Sequence, residues 1–257
     1  MNKAVFFWST WALLSVYLVI LAGAVVRMTG SGMGCPDWPK CFGYLIPPTE
    51  RSQLDWQPDK SYKKGNVIIL DNTLQVAIQT FESGDTIDLK NWEVYTKHDY
   101  TTFNATHTWV EFINRLLGAI SGLIVLGLFV RSLWWIRKQP LLPIFSFFAV
   151  VGMGVQAWLG KTVVDSNLLP SKISLHMIMA LLIVSVLLFV RAKSHGKQLK
   201  QPSKNLLMLI VGSFVLTLIQ FGLGVDVRQF IDYQIKQAGS NAPQLWLDRP
   251  AISFYIH

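Results

Sequence analysis

Charge is scarce in this chain, and cysteine scarcer. Only 15% of the 257 residues are charged, against a 51% hydrophobic share, where a typical soluble domain carries about 25% charged residues. The net charge of +8 would suit nucleic acid. No basic run interleaved with aromatics stands outside two short loops, however, so a nucleic-acid surface is excluded. The ten-residue alternation of a membrane barrel is also missing. The glycines of Thr29-Gly-Ser-Gly-Met-Gly34 have no Gly-Lys-Ser/Thr ending and no preceding soluble strand, which removes a phosphate cradle. They permit tight turns near a ligand or a helix end. Cys35 and Cys41 are the only cysteines, and no His or Cys neighbours them to complete four zinc ligands.

What is present is apolar length. Runs of about 20 apolar residues are long enough to cross a bilayer core of roughly 30 Å. Five spans are read, at residues 5–26, 109–135, 141–159, 173–190 and 206–225. Backbone amides inside a bilayer must be satisfied within the segment, so the spans are helices. The first is too long for the apolar region of a signal peptide. Arg131, Arg137 and Lys138 follow span two, and Arg191, Lys193, Lys197, Lys200 and Lys204 follow span four. Together with Lys3 they make that side cytoplasmic. The N-terminus then lies inside, and the segment 27–106 lies outside. Its polar remainder, near residues 50–100, reads as an insertion on the outer face, with strand-like pieces such as residues 66–70.

The outer segment holds Cys-Pro-Asp-Trp-Pro-Lys-Cys at residues 35–41. An oxidising compartment permits a disulfide there, which is the reading taken over two free thiols or half a metal site.

Two histidines stand a few residues into apolar stretches that enter from the outer side. His107 opens span two, on one helical face with Glu111 and Asn114, and His176 opens span four after Leu168-Leu169-Pro170. Asn104 or Thr102 would cap the first helix and Ser171 the second. Counting from those starts puts both imidazoles about 7 Å deep on neighbouring helices. Imidazoles in a spanning helix mark a functional site by default, and a pair facing one another can hold haem iron. The bland alternative is a hydrogen bond from each ring to backbone or interfacial water. Gly118 and Gly122 extend the same face, leaving a groove for a flat ligand or a close helix contact. Glu111 is costly if ionised and alone. It is therefore protonated, paired with Arg115 at i,i+4, or engaged in proton transfer. Arg27 and Arg228, at outer helix ends, suit cofactor carboxylates or snorkelling to the interface.

An internal repeat appears between Gly23-Ala-Val-Val-Arg27 and Gly224-Val-Asp-Val-Arg228, each followed by an outer stretch leading to a His, His107 and then His257. This implies an all-α polytopic membrane protein of tandem four-helix-bundle halves. Residues 1–200 form the first half and 201–257 the start of the second, with Pro250 opening a sixth helix. The second half is expected to be incomplete, wanting spans six to eight.

Four stretches resemble haem A synthase, the membrane enzyme that makes haem A from haem O for terminal oxidases. They are residues 23–43, Glu-Phe-Ile-Asn-Arg-Leu at 111–116, residues 159–164 with 169–176, and the repeat at 220–257. The resemblance implies oxidation of the haem C8 methyl to a formyl group by successive hydroxylations, the second giving a geminal diol that loses water. It implies a substrate-haem site on helices two and four, a haem b on helices six and eight, and a cysteine pair in the outer loop that could be redox-active. Carried over, His176 is the helix-four iron ligand, His257 the helix-six ligand, and Glu111 the glutamate of a Glu-x-x-His-Arg motif acting as charge stabiliser or proton acceptor. This chain has Asn114 where that motif has its His, so His107 is the substitute ligand to weigh, about 10 Å away along the axis. Implied partners are haem O synthase, membrane lipid and an electron acceptor, with self-association left open. The competing reading is a b-type membrane cytochrome that only transfers electrons, for which Glu111 has no required role.

Overall fold

The computed structural model describes residues 2–96, 103–195, 203–238, 250 and 252–256. Five helices are long and apolar enough to cross a membrane: α1 (Lys3–Met28), α2 (Ala105–Ser132, continued by a 3-10 turn to Trp135), α3 (Leu141–Asp165), α4 (Pro170–His195) and α5 (Lys204–Ala238). A short α6 (Ile252–Ile256) follows. The chain is thus a mostly helical, multi-pass membrane protein, as its hydropathy implied. Each helix extends beyond its apolar run at one end or both, from two residues at either end of α1 to more than three turns at the end of α5.

The chain divides into two compact units, Met1–Lys197 and Gln198–His257. In the first, α1 and α3 each pack on both α2 and α4, so α2 and α4 stand across a diagonal of the four-helix bundle rather than side by side. That differs from the neighbouring arrangement expected for the two histidine helices. Toward the basic end lies an apolar core of Val5, Ala12, Val16, Val125, Leu128, Leu142, Ala149, Ile183, Leu187 and Val190. Two glycines set its closest approaches. A side chain at Gly127 would overlap the Trp8 ring at 2.7 Å, and one at Gly152 would meet Ile183 at 3.0 Å. Ser15 and Ser121 join α1 to α2 by a 3.0 Å hydrogen bond. At the basic end the Asn2 amide donates to the Ser194 carbonyl, the Arg191 side chain donates to Thr10, and its guanidinium lies over Phe6. The start of α1 and the end of α4 therefore share one end with Arg131, Arg137 and Lys138.

Asn104 caps α2 as expected, its side chain accepting from the His107 amide at 3.2 Å. Helix α4 differs. Pro170 is its first residue, and the Leu169 carbonyl accepts from the Lys172 and Ile173 amides, so Ser171 lies inside the helix and is no cap. Proline suits that position because its missing N–H would be unpaired there anyway. Helix α6 begins at Ile252, and Pro250 precedes it outside the helix.

Between α1 and α2 the outer segment builds two small antiparallel sheets. One pairs β1 (Ser61–Tyr62) with β4 (Phe81–Glu82); the other orders β2 (Val67–Leu70), β3 (Thr73–Ala77) and β5 (Trp92–Val94) as β2-β3-β5. Asp71 and Asn72, both at positive φ, turn β2 into β3, the two-residue hairpin in which Asp and Asn tolerate the left-handed region. Leu54, Val67, Ile69 and Leu74 bury against Cys35, Cys41 and Phe42. The insertion is therefore packed on the cysteine loop. In the second unit α5 packs with α6, and apolar side chains along α5 such as Leu209, Phe214 and Leu216 are exposed.

Candidate functional site

The end of the bundle remote from its basic end is organised by one face of α2. Thr108, Glu111 and Arg115 follow at i, i+3 and i+7, the spacing that stacks side chains on one helical stripe. The Thr108 hydroxyl donates to the Gly34 carbonyl at 2.8 Å, and a Glu111 carboxylate oxygen accepts from the Cys35 amide at 2.9 Å. Arg115 donates to the carbonyls of Asp37 (2.6 Å), Lys40 (3.0 Å) and Cys35 (3.3 Å), and pairs with the other Glu111 oxygen. Both side chains are nearly sealed, with Glu111 at 5% and Arg115 at 14% exposed. Of the alternatives weighed for Glu111, the pair with Arg115 is the one the structure shows. The pair holds a loop as well as balancing its own charges.

That loop closes on a Cys35–Cys41 disulfide, with both cysteines fully buried. Within it the Asp37 carboxylate accepts from the Phe42 amide at 2.5 Å and the Gly43 amide at 2.8 Å. Phe42 and Gly43 both sit at positive φ, a turn that Asp37 satisfies from the side. Burial pushes the Asp37 carboxyl above its usual range, against the pull of those amides and of Arg115. Tyr95, at the end of the insertion, donates its phenol to the Pro36 carbonyl at 2.9 Å. Burial, with the negative charges of Asp37 and Asp165 nearby, pushes that phenol up to about 12. Thr108, Asp37 and Tyr95 were not picked out from the sequence. Only Thr108 left a signal, its place on the Glu111–Arg115 stripe.

A second set of polar groups includes Asn114, which stands between Glu111 and Arg115 along α2. His176, Gln156 and Asn114 are partly buried among apolar helices, and the Gln156 amide donates to the His176 backbone carbonyl at 3.1 Å. Three side-chain atoms here are buried without a hydrogen-bond partner: His176 Nδ1, Gln156 Oε1 and Asn114 Oδ1. An unpartnered buried polar atom costs about 1–3 kcal/mol, and such atoms in a native fold call for a reason. Space adjoins them. A side chain added at Gly118 or Gly122 would meet nothing within 4 Å, and one at Gly160 would only touch the His176 ring at 3.4 Å. A bundle interior with an unpaired imidazole and glycine-lined space fits a flat, iron-bearing macrocycle.

The remaining sequence candidates fall elsewhere. His107 is in the first turn of α2, half-buried, with its carbonyl packed where a side chain on Gly34 would clash. Arg27 is in the last turn of α1, and Arg228 lies along α5 in the second unit. His257 lies outside the described residues. Among the described residues no group of three or more His, Cys, Asp or Glu gathers into a side-chain metal cage.

The model of a family described as cytochrome oxidase assembly protein, COX15-CtaA, matches residues 6–81 and 87–239. Several curated relatives carry the name Heme A synthase. That of Shewanella oneidensis is 26% identical over 80% of this chain and 52% of its own length. The one from Exiguobacterium sp. (strain AT1b) is 25% identical over 89% of this chain and 59% of its own. For the Rickettsia prowazekii protein the figures are 26%, 86% and 60%. The chain thus spans between half and three-fifths of the length of these relatives. No solved structure matches it.

Proposed function

The chain belongs to the COX15-CtaA family of cytochrome oxidase assembly proteins, and from that premise we propose that it carries the substrate half of a haem A synthase. The substrate is haem O, delivered by haem O synthase. The reaction oxidises its C8 methyl to the formyl group of haem A, the formyl oxygen entering as water and the electrons and protons released leaving to an acceptor and solvent outside the chain. The supporting observation is His176, an imidazole with an unpartnered buried nitrogen, in a glycine-lined space inside a four-helix bundle. Imidazole is the side chain that most often holds haem iron in such bundles.

The chain's own residues have separable tasks in this reading. His176 holds the substrate iron, and Asn114 faces the same interior. Gly118, Gly122 and Gly160 leave the width a flat ring needs. Glu111 is the carboxylate nearest this layer in sequence, one turn from Asn114, and takes up protons or balances charge as the methyl is oxidised. Its bonds to Cys35 and Arg115 hold it in one orientation, which favours a fixed electrostatic role over a mobile one. Arg27 and Arg115 stand at the outer end, where propionate carboxylates of an inserted haem would emerge. Arg228 and His257 are assigned to the second half and its haem b. The protein lies in the cytoplasmic membrane with the basic end of the bundle inside.

The test is expression in a membrane that supplies haem O, followed by extraction and mass analysis of the haems. The reading expects the alcohol and aldehyde products in cells with the intact protein and their loss with Glu111→Ala. Unconverted haem O alongside a normal b-type spectrum would instead make the protein an electron-transfer cytochrome.

A further inference from the structure

The packing gives the haem-ligand layer a depth that counting from helix starts does not. A side chain on Gly23 of α1 would come within 3.9 Å of Asn114 Oδ1, and one on Gly160 of α3 within 3.4 Å of the His176 ring. Gly23 lies five residues before the end of α1 at Met28, and Gly160 five residues before the end of α3 at Asp165. Five residues of helix rise about 7.5 Å. The two ends are level, because Leu168, just past α3, packs its side chain at Gly32, just past α1. Asn114 and His176 therefore occupy the same depth on helices that face one another across the bundle diagonal. His107 does not share it. It lies level with Gly34, outside the end of α1, about 10 Å outward of Asn114 along α2.

Resting on the haem reading above, we propose that the first site holds haem iron through His176 alone, with the Asn114 carboxamide on the opposite face beside an open coordination position. A neutral amide oxygen is a poor partner for iron, which favours imidazole or thiolate. The same group has two N–H donors, and donors on the open face decide whether a small ligand is held there. Asn114 is in this sense a specificity-determining residue: it keeps the iron accessible and gives a small bound molecule a hydrogen bond. Its unpartnered buried oxygen agrees with a side chain that has no structural hydrogen-bond duty.

The experiment uses the full chain purified in detergent and supplied with haem b as probe, each spectrum taken as a difference from His176→Ala so that any other haem cancels. The expected parent signal is high-spin iron that binds carbon monoxide on reduction. Asn114→His should convert it to a low-spin, two-imidazole spectrum with loss of carbon monoxide binding. Asn114→Leu, which adds no ligand, should keep carbon monoxide binding and shift the C–O stretching frequency through loss of the amide donor. His107→Ala should leave spin state and carbon monoxide binding unchanged. A low-spin parent that gains carbon monoxide binding only in His107→Ala would overturn the single-histidine assignment while leaving the haem reading standing. No difference between parent and His176→Ala would remove the haem reading itself.

Discussion

Replacing Arg115 with leucine tests the outer clamp. The substitution deletes donors to three loop carbonyls, at Cys35, Asp37 and Lys40, and the partner of a Glu111 carboxylate only 5% exposed. The loop carbonyls can turn to water at modest expense. Glu111 cannot, and a buried charge stripped of its partner costs about 3–5 kcal/mol. Arg115→Leu should therefore destabilise the bundle's outer end by roughly that amount, most of it from the abandoned carboxylate. Glu111→Gln keeps the shape and an oxygen to accept from the Cys35 amide, so it should cost less, about 1–2 kcal/mol. The double variant should be less destabilised than the sum of the two, because Arg115→Leu no longer strands a charge. The assay is denaturant or thermal unfolding in detergent, with amide exchange at Cys35, Phe42 and Gly43 as the local readout. A Glu111/Arg115 cycle that is additive within about 0.5 kcal/mol, or an Arg115→Leu loss below about 1 kcal/mol, would refute the clamp as an energetic unit.

Two other outcomes follow from particular contacts. Gly127→Ala should cost about 1–3 kcal/mol from overpacking against the Trp8 ring, seen as lowered thermal stability despite alanine's better helix propensity; an unchanged or raised stability would show that Trp8 moves aside freely. Tyr95 should titrate near 12 in the folded protein, so its contribution is fully present below its ordinary value of 10.0 and is lost as pH rises from there toward about 12. Absorbance at the phenolate band should follow that midpoint, and Tyr95→Phe should flatten stability across the same window; an ordinary midpoint in the folded protein would contradict the buried bond to Pro36.

Much of the architecture was legible because its cause is local. Apolar runs set by bilayer thickness marked all five spans, and Asn104 stood where an N-cap is needed. The 66–70 stretch read as a strand and became β2, since Val-Ile-Ile-Leu followed by Asp-Asn is a strand running into a hairpin turn. The Cys35–Cys41 bridge and the Glu111–Arg115 pair were legible from separations of six and four residues. Ser171 misled because a proline one residue earlier already met the requirement for starting α4. Asp37 and Tyr95 were invisible because their partners are backbone groups, and a backbone amide or carbonyl leaves no letter in a sequence.

Spans, the side that carries positive charge, the bridge and the residue types available to a haem site were thus determined by sequence alone, through transfer free energy and short-range geometry. The relation between His176, Asn114 and His107 was decided by tertiary structure. Depth on a helix is measured from where neighbouring helices end, and those ends are set by the loops that pack over them. Counting from each helix's own start paired His107 with His176; the level of α1 and α3 at Gly32 and Leu168 pairs Asn114 with His176 instead.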